Sequence, residues 1–449
     1  MSRRPLVKLT LGTAAACACA LLLGCTSKPV TAAEKPAAVA APAPPEKLPP
    51  VMLGIDVLEA DGFKAVAGKR IGLLTHPAGV NRRGESTVSV LRRAPGVRLT
   101  ALFAPEHGFD GEVKAGDNFG DTVHAATGLP VYSLHGANRK PTPKQLKGLD
   151  AFVIDLQDIG VRSYTFNVVM KYAMEACFQN GVEVVVLDRP NPLGGLKVDG
   201  PPLDEANLSG VGAYPHMPYV HGLTIGEIAR LAKNGARALS FMDVAEKVRV
   251  TGRLTVIPMR GWNRTMRWPD TGLKWVATSP NIPGFEAVIG YAMVGLGTDS
   301  PSNSGWTWGI GRDFPFRGIG FPKKTPDEII KAMESYRIPG IALGKRPGTD
   351  REGKPITGVY VEVTDWAAWH PTELSCYMHK QAAKWTRLNP FAVLTTDEAR
   401  TFRIHVGSTA WVDALKREGA RIDVASFLKN WSERARIYQD QTKVFWLYP

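Results

Sequence analysis

Four short apolar runs in this chain each stop at a polar cluster, and the cluster after the second run sets a carboxyl beside an imidazole. That cluster is Pro105-Glu106-His107-Gly108, at the end of the run 99–104. A carboxyl held at a strand end can be tuned by its neighbours to give up or keep a proton, which is the work of a general acid. Pro105 fixes the approach of the chain, and Gly108 lets a ligand come close. The run 71–75 leads into His76-Pro77. The run 151–154 leads into Asp155-Leu156-Gln157-Asp158, with Arg162 and Tyr164 just beyond. The run 182–187 leads into Asp188-Arg189-Pro190-Asn191. Alternation along a strand puts Asp155 and Gln157 on the same side. Two readings of Arg162 stay open: an ion pair with Asp158, or a planar clamp for a ligand carboxylate. Glu106 also has a plainer reading, the capping of a following turn, and Asn191 reads as a turn residue as readily as a ligand.

For these tips to meet, their strands must lie side by side and parallel. The pattern predicts strands over 69–75, 97–104, 131–134, 151–156 and 182–188, alternating with helices over 86–93 and 163–179. A further helix is expected over 224–234, where Thr224 and Glu227 have capping-box spacing. Alternating strands and helices, with nearly all-apolar strands, predict a doubly wound, mostly parallel sheet covered on both faces. Such sheets bind ligands at the carboxyl ends of their strands. Beyond residue 240 the pattern changes. Elements over 241–258 are mixed and short, and 269–315 is dense in Gly, Pro, Ser, Asn and Trp and reads mostly as loop. Helices over 327–337 and 372–388 and strands over 358–363 and 403–407 follow. The expected architecture is α/β: a doubly wound sheet domain over 51–240 and a second, smaller domain over 241–449.

The first 24 residues read as a targeting segment. Arg3, Arg4 and Lys8 precede a short apolar stretch that ends in Leu22-Leu23-Gly24-Cys25. Cys25 stands where a bacterial lipoprotein is diacylated, so membrane attachment through it is expected. Thr26 after it favours an outer-membrane anchor in a Gram-negative cell. Residues 25–50 are rich in Ala, Pro and Lys and form a tether. The formal charge of +13 suits anionic partners of the cell envelope, and nucleic acid is not expected after export. Cys177 and Cys376 remain for the globular part and are expected as two buried free thiols. No clustered Cys and His spacing and no His-Glu-x-x-His occurs, and His216 and His221 make no convincing pair, so no metal is expected. No phosphate-cradling glycine motif and no Gly-x-Ser-x-Gly is present, which argues against dinucleotide, nucleotide and serine-hydrolase sites. Trp262, Trp268, Trp275, Trp306 and Trp308 crowd one stretch; most are expected in the core, with one or two free to stack on a sugar.

Seven ordered motifs carry a family resemblance. They are Gly68-Lys-Arg-Ile-Gly-Leu-Leu-Thr75, Ala104-Pro-Glu-His-Gly108, Gly128-Leu-Pro-Val-Tyr-Ser133, Asp155-Leu-Gln-Asp-Ile-Gly160, Leu187-Asp-Arg-Pro-Asn-Pro-Leu-Gly-Gly195, His221-Gly-Leu-Thr-Ile-Gly-Glu227 and Ser279-Pro-Asn-Ile-Pro283. Together they resemble the NamZ-type exo-β-N-acetylmuramidases, closely over 53–283 and loosely beyond. The resemblance implies a Rossmann-like domain followed by a smaller α/β domain, with a cleft between them. It also implies hydrolysis of terminal β-linked N-acetylmuramic acid from the non-reducing end of peptidoglycan fragments, without a cofactor. Glu106 falls on the family's candidate acid. The catalytic candidates are Glu106, with His107 orienting it, and Asp155 or Asp158 as partner carboxylate. The substrate-binding candidates are His76, Gln157, Arg162, Tyr164, Asp188, Arg189, Asn191, His221 and Asn281. Arg162 or Arg189 is the expected holder of the lactyl carboxylate. One segment departs from the family: a stretch that usually carries two glutamates and an arginine reads Leu296-Gly-Thr-Asp-Ser-Pro-Ser-Asn-Ser-Gly305. Asp299, Asp155 or the substrate's own acetamido group is then left to play the second role. A lipoprotein that binds muramyl glycan without turnover is the alternative reading.

Overall fold

Strands that are apolar on both sides must be covered on both sides. The computed structural model, which describes residues 50–297, 304–350 and 352–449, meets that demand with one central sheet. Its strands are β1 (Arg70–Thr75), β2 (Arg98–Ala104), β3 (Thr122–Val123), β4 (Pro130–Ser133), β5 (Ala151–Asp155), β6 (Glu183–Leu187) and β7 (Leu254–Ile257). The order across the sheet is β3-β4-β2-β1-β5-β6-β7. Every ladder is parallel except the edge pair β3–β4. Alternation sorts β5 between two cores. Phe152 and Ile154 join Phe103, Val168 and Met170 on one face, while Ala151 and Val153 join Ile71, Leu91 and Val185 on the other. The helix Phe166–Gln179 packs on the first face. The helix Ile225–Asn234 begins as expected, with Thr224 accepting from the Glu227 backbone and Glu227 answering the Thr224 backbone.

The chain leaves β1 for β2 and β4 on one side, then returns to β5, β6 and β7 on the other. The switch point of the sheet is therefore the gap between the ends of β1 and β5. The sheet continues past residue 240, taking β7 from 254–257. A second sheet is antiparallel, with β8 (Thr307–Trp308), β9 (Gly318–Gly320), β10 (Ile341–Thr349) and β11 (Pro355–Val363) in the order β10-β11-β9-β8. The chain ends by returning to the first sheet's side. There Leu447 N donates to Glu227 at 2.9 Å and Tyr448 Oη to Asp188 at 2.5 Å.

Two expectations are corrected. The stretch 403–407, which alternates like a strand, is the last turn of the helix Thr396–Val406, and Gly407 ends it with φ 82°. Within 269–315 lies the ten-residue helix Phe285–Val294, whose residues are buried nearly all round and so lack an amphipathic stripe. Cys177 and Cys376 are buried free thiols. Trp262, Trp268 and Trp306 are core residues, and Trp308 stacks on Phe316 at 4.1 Å.

Candidate active site

Glu106 lies just past the end of β2, one strand from the switch point, and is half-buried. Its carboxylate accepts from Thr165 Oγ1 at 2.7 Å and from the Gly116 backbone N–H at 3.0 Å. Burial alone would push its pKa up. The two hydrogen bonds and the nearby His135 and His107 outweigh burial and leave Glu106 below the usual carboxylate range. That direction favours the ionised form of Glu106 in the free protein. A small cavity opens beside it, lined also by His135, Arg139 and Thr165, and Glu106 is the one carboxylate among its described lining residues.

His107 takes φ 76°, a costly conformation for a residue with a Cβ. Its Nδ1 donates to the Val113 carbonyl at 2.9 Å, which fixes the ring. His76, at the end of β1, accepts from the Gln157 backbone at 3.0 Å through Nε2, bridging the switch point. Burial holds His76 well below the ordinary histidine range, so it is neutral there. Gln157 donates to the carbonyls of Asp158 at 2.7 Å and Pro190 at 2.9 Å. Asp158 faces His221 Nε2 at 3.6 Å. Four buried atoms here, His76 Nδ1, Gln157 Oε1, Asp158 Oδ1 and His221 Nε2, have no hydrogen-bond partner among the described residues. Such atoms call for a bridging water or a ligand group.

Most of the other expected residues are bonded within the protein, although Arg162 Nε and Nη1 and the Tyr164 hydroxyl have no hydrogen-bond partner among the described residues. Asp155, fully buried, takes Arg189 Nε at 2.5 Å and Nη2 at 2.9 Å and also Thr87 Oγ1. Both carboxylate oxygens of Asp155 are thus occupied, while Arg189 also lines a small cavity with Gln157. Asp188 accepts from the backbones of Arg189 and Gly226 and from Thr224 and Tyr448, and burial still pushes it up to about 7. Asn191 ties its own turn, accepting from Leu193 N and donating to Leu223 O, both at 3.0 Å. Arg162 does not meet Asp158. It donates through Nη2 to the Val406 carbonyl at 2.8 Å, capping the helix Thr396–Val406, and burial lowers its pKa to about 10. Tyr164 is buried facing Thr278 and Ser279, and its hydroxyl pKa is pushed up. Asn281 is half-buried in the turn before the helix Phe285–Val294. Cys25 and Asp299 lie outside the described residues.

Thr165, Gly116, His135, Arg139 and His405 are neighbours that sequence reasoning did not select. His135 follows the end of β4 and obeys the same strand-tip rule as Glu106. His405 comes from the far half of the chain. Burial and the nearby Arg162 lower it to about 4, with Glu106 opposing.

The family model for the N-terminal part of the exo-β-N-acetylmuramidase NamZ matches residues 71–286, and that for its C-terminal part matches residues 290–448. The peptidoglycan β-N-acetylmuramidase NamZ of Bacillus subtilis (strain 168) is 41% identical over 325 residues, covering 71% of this chain and 74% of its own. A DUF1343 family protein from Bacteroides fragilis NCTC 9343 has a solved structure similar to this one. Its TM-score is 0.77 and its identity 32%, with 89% of this chain and 99% of that chain covered. A second DUF1343 structure from the same organism covers the same shares with a TM-score of 0.66 at 26% identity. The mostly parallel sheet, the strand-tip glutamate and the matches along both halves place this chain in the NamZ exo-β-N-acetylmuramidase family.

Proposed function

We propose that this chain hydrolyses the terminal β-N-acetylmuramyl bond at the non-reducing end of peptidoglycan fragments, with Glu106 working as an ionised carboxylate. The observation that carries the reading is Glu106 itself, at a strand tip, held by Thr165 and Gly116 beside a solvent-reached cavity. Glycoside hydrolysis passes through a sugar with positive charge at its anomeric carbon. A carboxylate fixed by two donors and flanked by histidines is prepared to face that charge without reorganising. The buried Asp155–Arg189 pair stands behind it as scaffold that fixes the strand tips. The substrate's own acetamido oxygen is left to attack the anomeric carbon as the glycosidic bond breaks; the leaving sugar oxygen takes a proton from solvent, and water then opens the cyclic intermediate. Purified full-length chain given a chromogenic β-N-acetylmuramide and its N-acetylglucosamine counterpart tests the reading. Release from the muramide alone, lost in Glu106→Gln, is expected. Protection of the protein against heat by the muramide, with no release, makes it a binding protein instead.

We propose further that the chain is exported and held at a membrane through a lipid on Cys25. The reading rests on the basic leader, its apolar stretch and the position of Cys25. Partition of the wild type into detergent, and of Cys25→Ser into the aqueous phase, is the expected result. Equal partition of the two would refute it.

A further inference from the structure

What separates a muramide from a glucosaminide is the lactyl group on C3, which ends in a carboxylate at neutral pH. A site that tells the two sugars apart needs a cation that no protein carboxylate already holds. The basic side chains near the strand tips can be sorted on that ground. Arg189 lies on Asp155 at 2.5 Å. Lys140 meets Glu175 at 2.6 Å, and Lys171 meets the same carboxylate at 3.5 Å. Arg162 lines neither the cavity beside Glu106 nor the chamber that adjoins it. Arg139 is different. It is exposed, it lines the Glu106 cavity with His135 and Thr165, and its side chain has no hydrogen-bond or ion-pair partner among the described residues.

The guanidinium of Arg139 nevertheless has a built seat. It lies against the backbone of Gly210, where a Cβ would overlap Nη1. A side chain at 210 and the guanidinium cannot share that place, so the bare glycine is what lets the arginine lie there. Ser209 and Gly212 exchange backbone hydrogen bonds at 2.8 and 3.3 Å around Gly210, which fixes the seat. The groove also has room for a sugar. Tyr172 is common to the wall of the Glu106 cavity and to that of a chamber of about 290 Å³, and Arg139-Lys140 and Ser209-Gly210 run from one to the other. In the chamber Lys140 and Lys171 face Glu175 and Asp243, so those charges cancel. Tyr172, Leu208, Ala213 and Phe241 give it apolar surface for the face of a ring. C3 is next but one to the anomeric carbon. A muramyl ring whose anomeric carbon faces Glu106 therefore carries its lactyl arm along this groove, where the planar fork of Arg139 matches a carboxylate.

We infer that Arg139 recognises the lactyl carboxylate of the terminal muramyl group and sets the preference for muramide over glucosaminide. The muramidase reading supplies the identity of the sugar, and the assignment rests on it. Arg162 and Arg189, the holders expected from the sequence, are bonded to the Val406 carbonyl and to Asp155.

Calorimetric titration of the full chain in mild detergent tests it with three sugars: N-acetylmuramic acid, its methyl ester, and N-acetylglucosamine. Wild type is expected to bind the acid about tenfold more tightly than either neutral sugar. Arg139→Gln is expected to bring the three affinities together. Arg139→Lys, which keeps the charge and loses the fork, is expected to fall between. Gly210→Ala is expected to act like Arg139→Gln, because the added Cβ displaces the guanidinium while the charge stays in the chain. A melting curve for each variant excludes unfolding. Turnover reads the same preference: the ratio of kcat/KM for the chromogenic muramide to that for its methyl ester is expected to fall about tenfold in Arg139→Gln, chiefly through KM. Wild type that binds acid and ester alike, or an Arg139→Gln or Gly210→Ala variant that keeps the wild-type preference, overturns the inference. So does an Arg139→Gln variant that weakens all three sugars equally, which would make Arg139 a part of the frame. Preference for the acid that depends on Arg139, in a protein that releases nothing from the muramide, supports the assignment and overturns the hydrolytic reading instead.

Discussion

Thr165→Val is the substitution that isolates what Glu106 does. The change keeps shape and removes one hydroxyl. Thr165 precedes the helix Phe166–Gln179 but makes no side-chain cap, so the helix loses nothing by the exchange. What is lost is the 2.7 Å hydrogen bond to Glu106 Oε2. A hydrogen bond to a charged group contributes about 1.5–3 kcal/mol. At roughly 1.4 kcal/mol per pKa unit, that is one to two units. Because Glu106 is only half-buried and solvent replaces part of the loss, about one unit is the working figure. Removing a donor to the ionised form raises the pKa. If Glu106 acts ionised, the acidic limb of the kcat/KM profile therefore moves up by about one pH unit, and activity well above that limb is little changed. The assay is chromogenic muramide hydrolysis at low substrate from pH 3 to pH 9, with a melting curve at each pH to exclude unfolding. Movement of the alkaline limb instead would mean that Glu106 must be protonated to work, and the ionised role would be refuted. No movement of either limb would remove Glu106 from the rate-governing step.

Three further outcomes concern the frame that holds the site. Arg189→Met leaves the Asp155 carboxylate buried with Thr87 as its remaining partner, and should cost about 3–5 kcal/mol in urea unfolding; a loss under 1 kcal/mol would show the pair to be dispensable. His379 is buried and neutral, held down to about 4, with Trp411 donating to its Nδ1. Its folded pKa lies below its unfolded value, so the unfolded chain binds more protons below about pH 6.5, and stability is lost as pH falls from there towards 4. Between pH 7 and pH 5 the wild type should lose about 2 kcal/mol more than His379→Gln, and parallel losses in the two would refute the assignment. Gly407→Ala puts a Cβ against the Arg162 guanidinium at φ 82° and should destabilise by at least about 1–2 kcal/mol. Its unfolding midpoint in urea is the measurement, and an unchanged midpoint would show that the helix cap shifts freely.

The strand tips were legible in the sequence for a physical reason. A parallel strand covered on both faces must be apolar throughout, so its end is marked by the first polar residue, and Glu106, His76, Asp155 and Asp188 all stand at such marks. Partner choice is a different matter. Asp155 and Arg189 meet across 34 residues, and Arg162 meets the Val406 carbonyl across 244. Nothing local to Arg162 distinguishes a clamp for a ligand from a clamp for a helix end, because both offer an oxygen to the same fork. The same ambiguity hid His405. Its stretch alternates apolar and polar residues like a strand, yet Thr395 and Glu398 start a helix and Gly407 stops it, and that helix carries His405 towards Glu106. Arg162 then links the two facts. It caps the helix that bears His405 and so ties the segment after β5 to the second half of the chain. Arg162, for which the sequence leaves both an ion pair and a ligand clamp open, thus bonds a helix end, and Gly407→Ala, which disturbs that cap without touching Glu106, should lower kcat more than it raises KM.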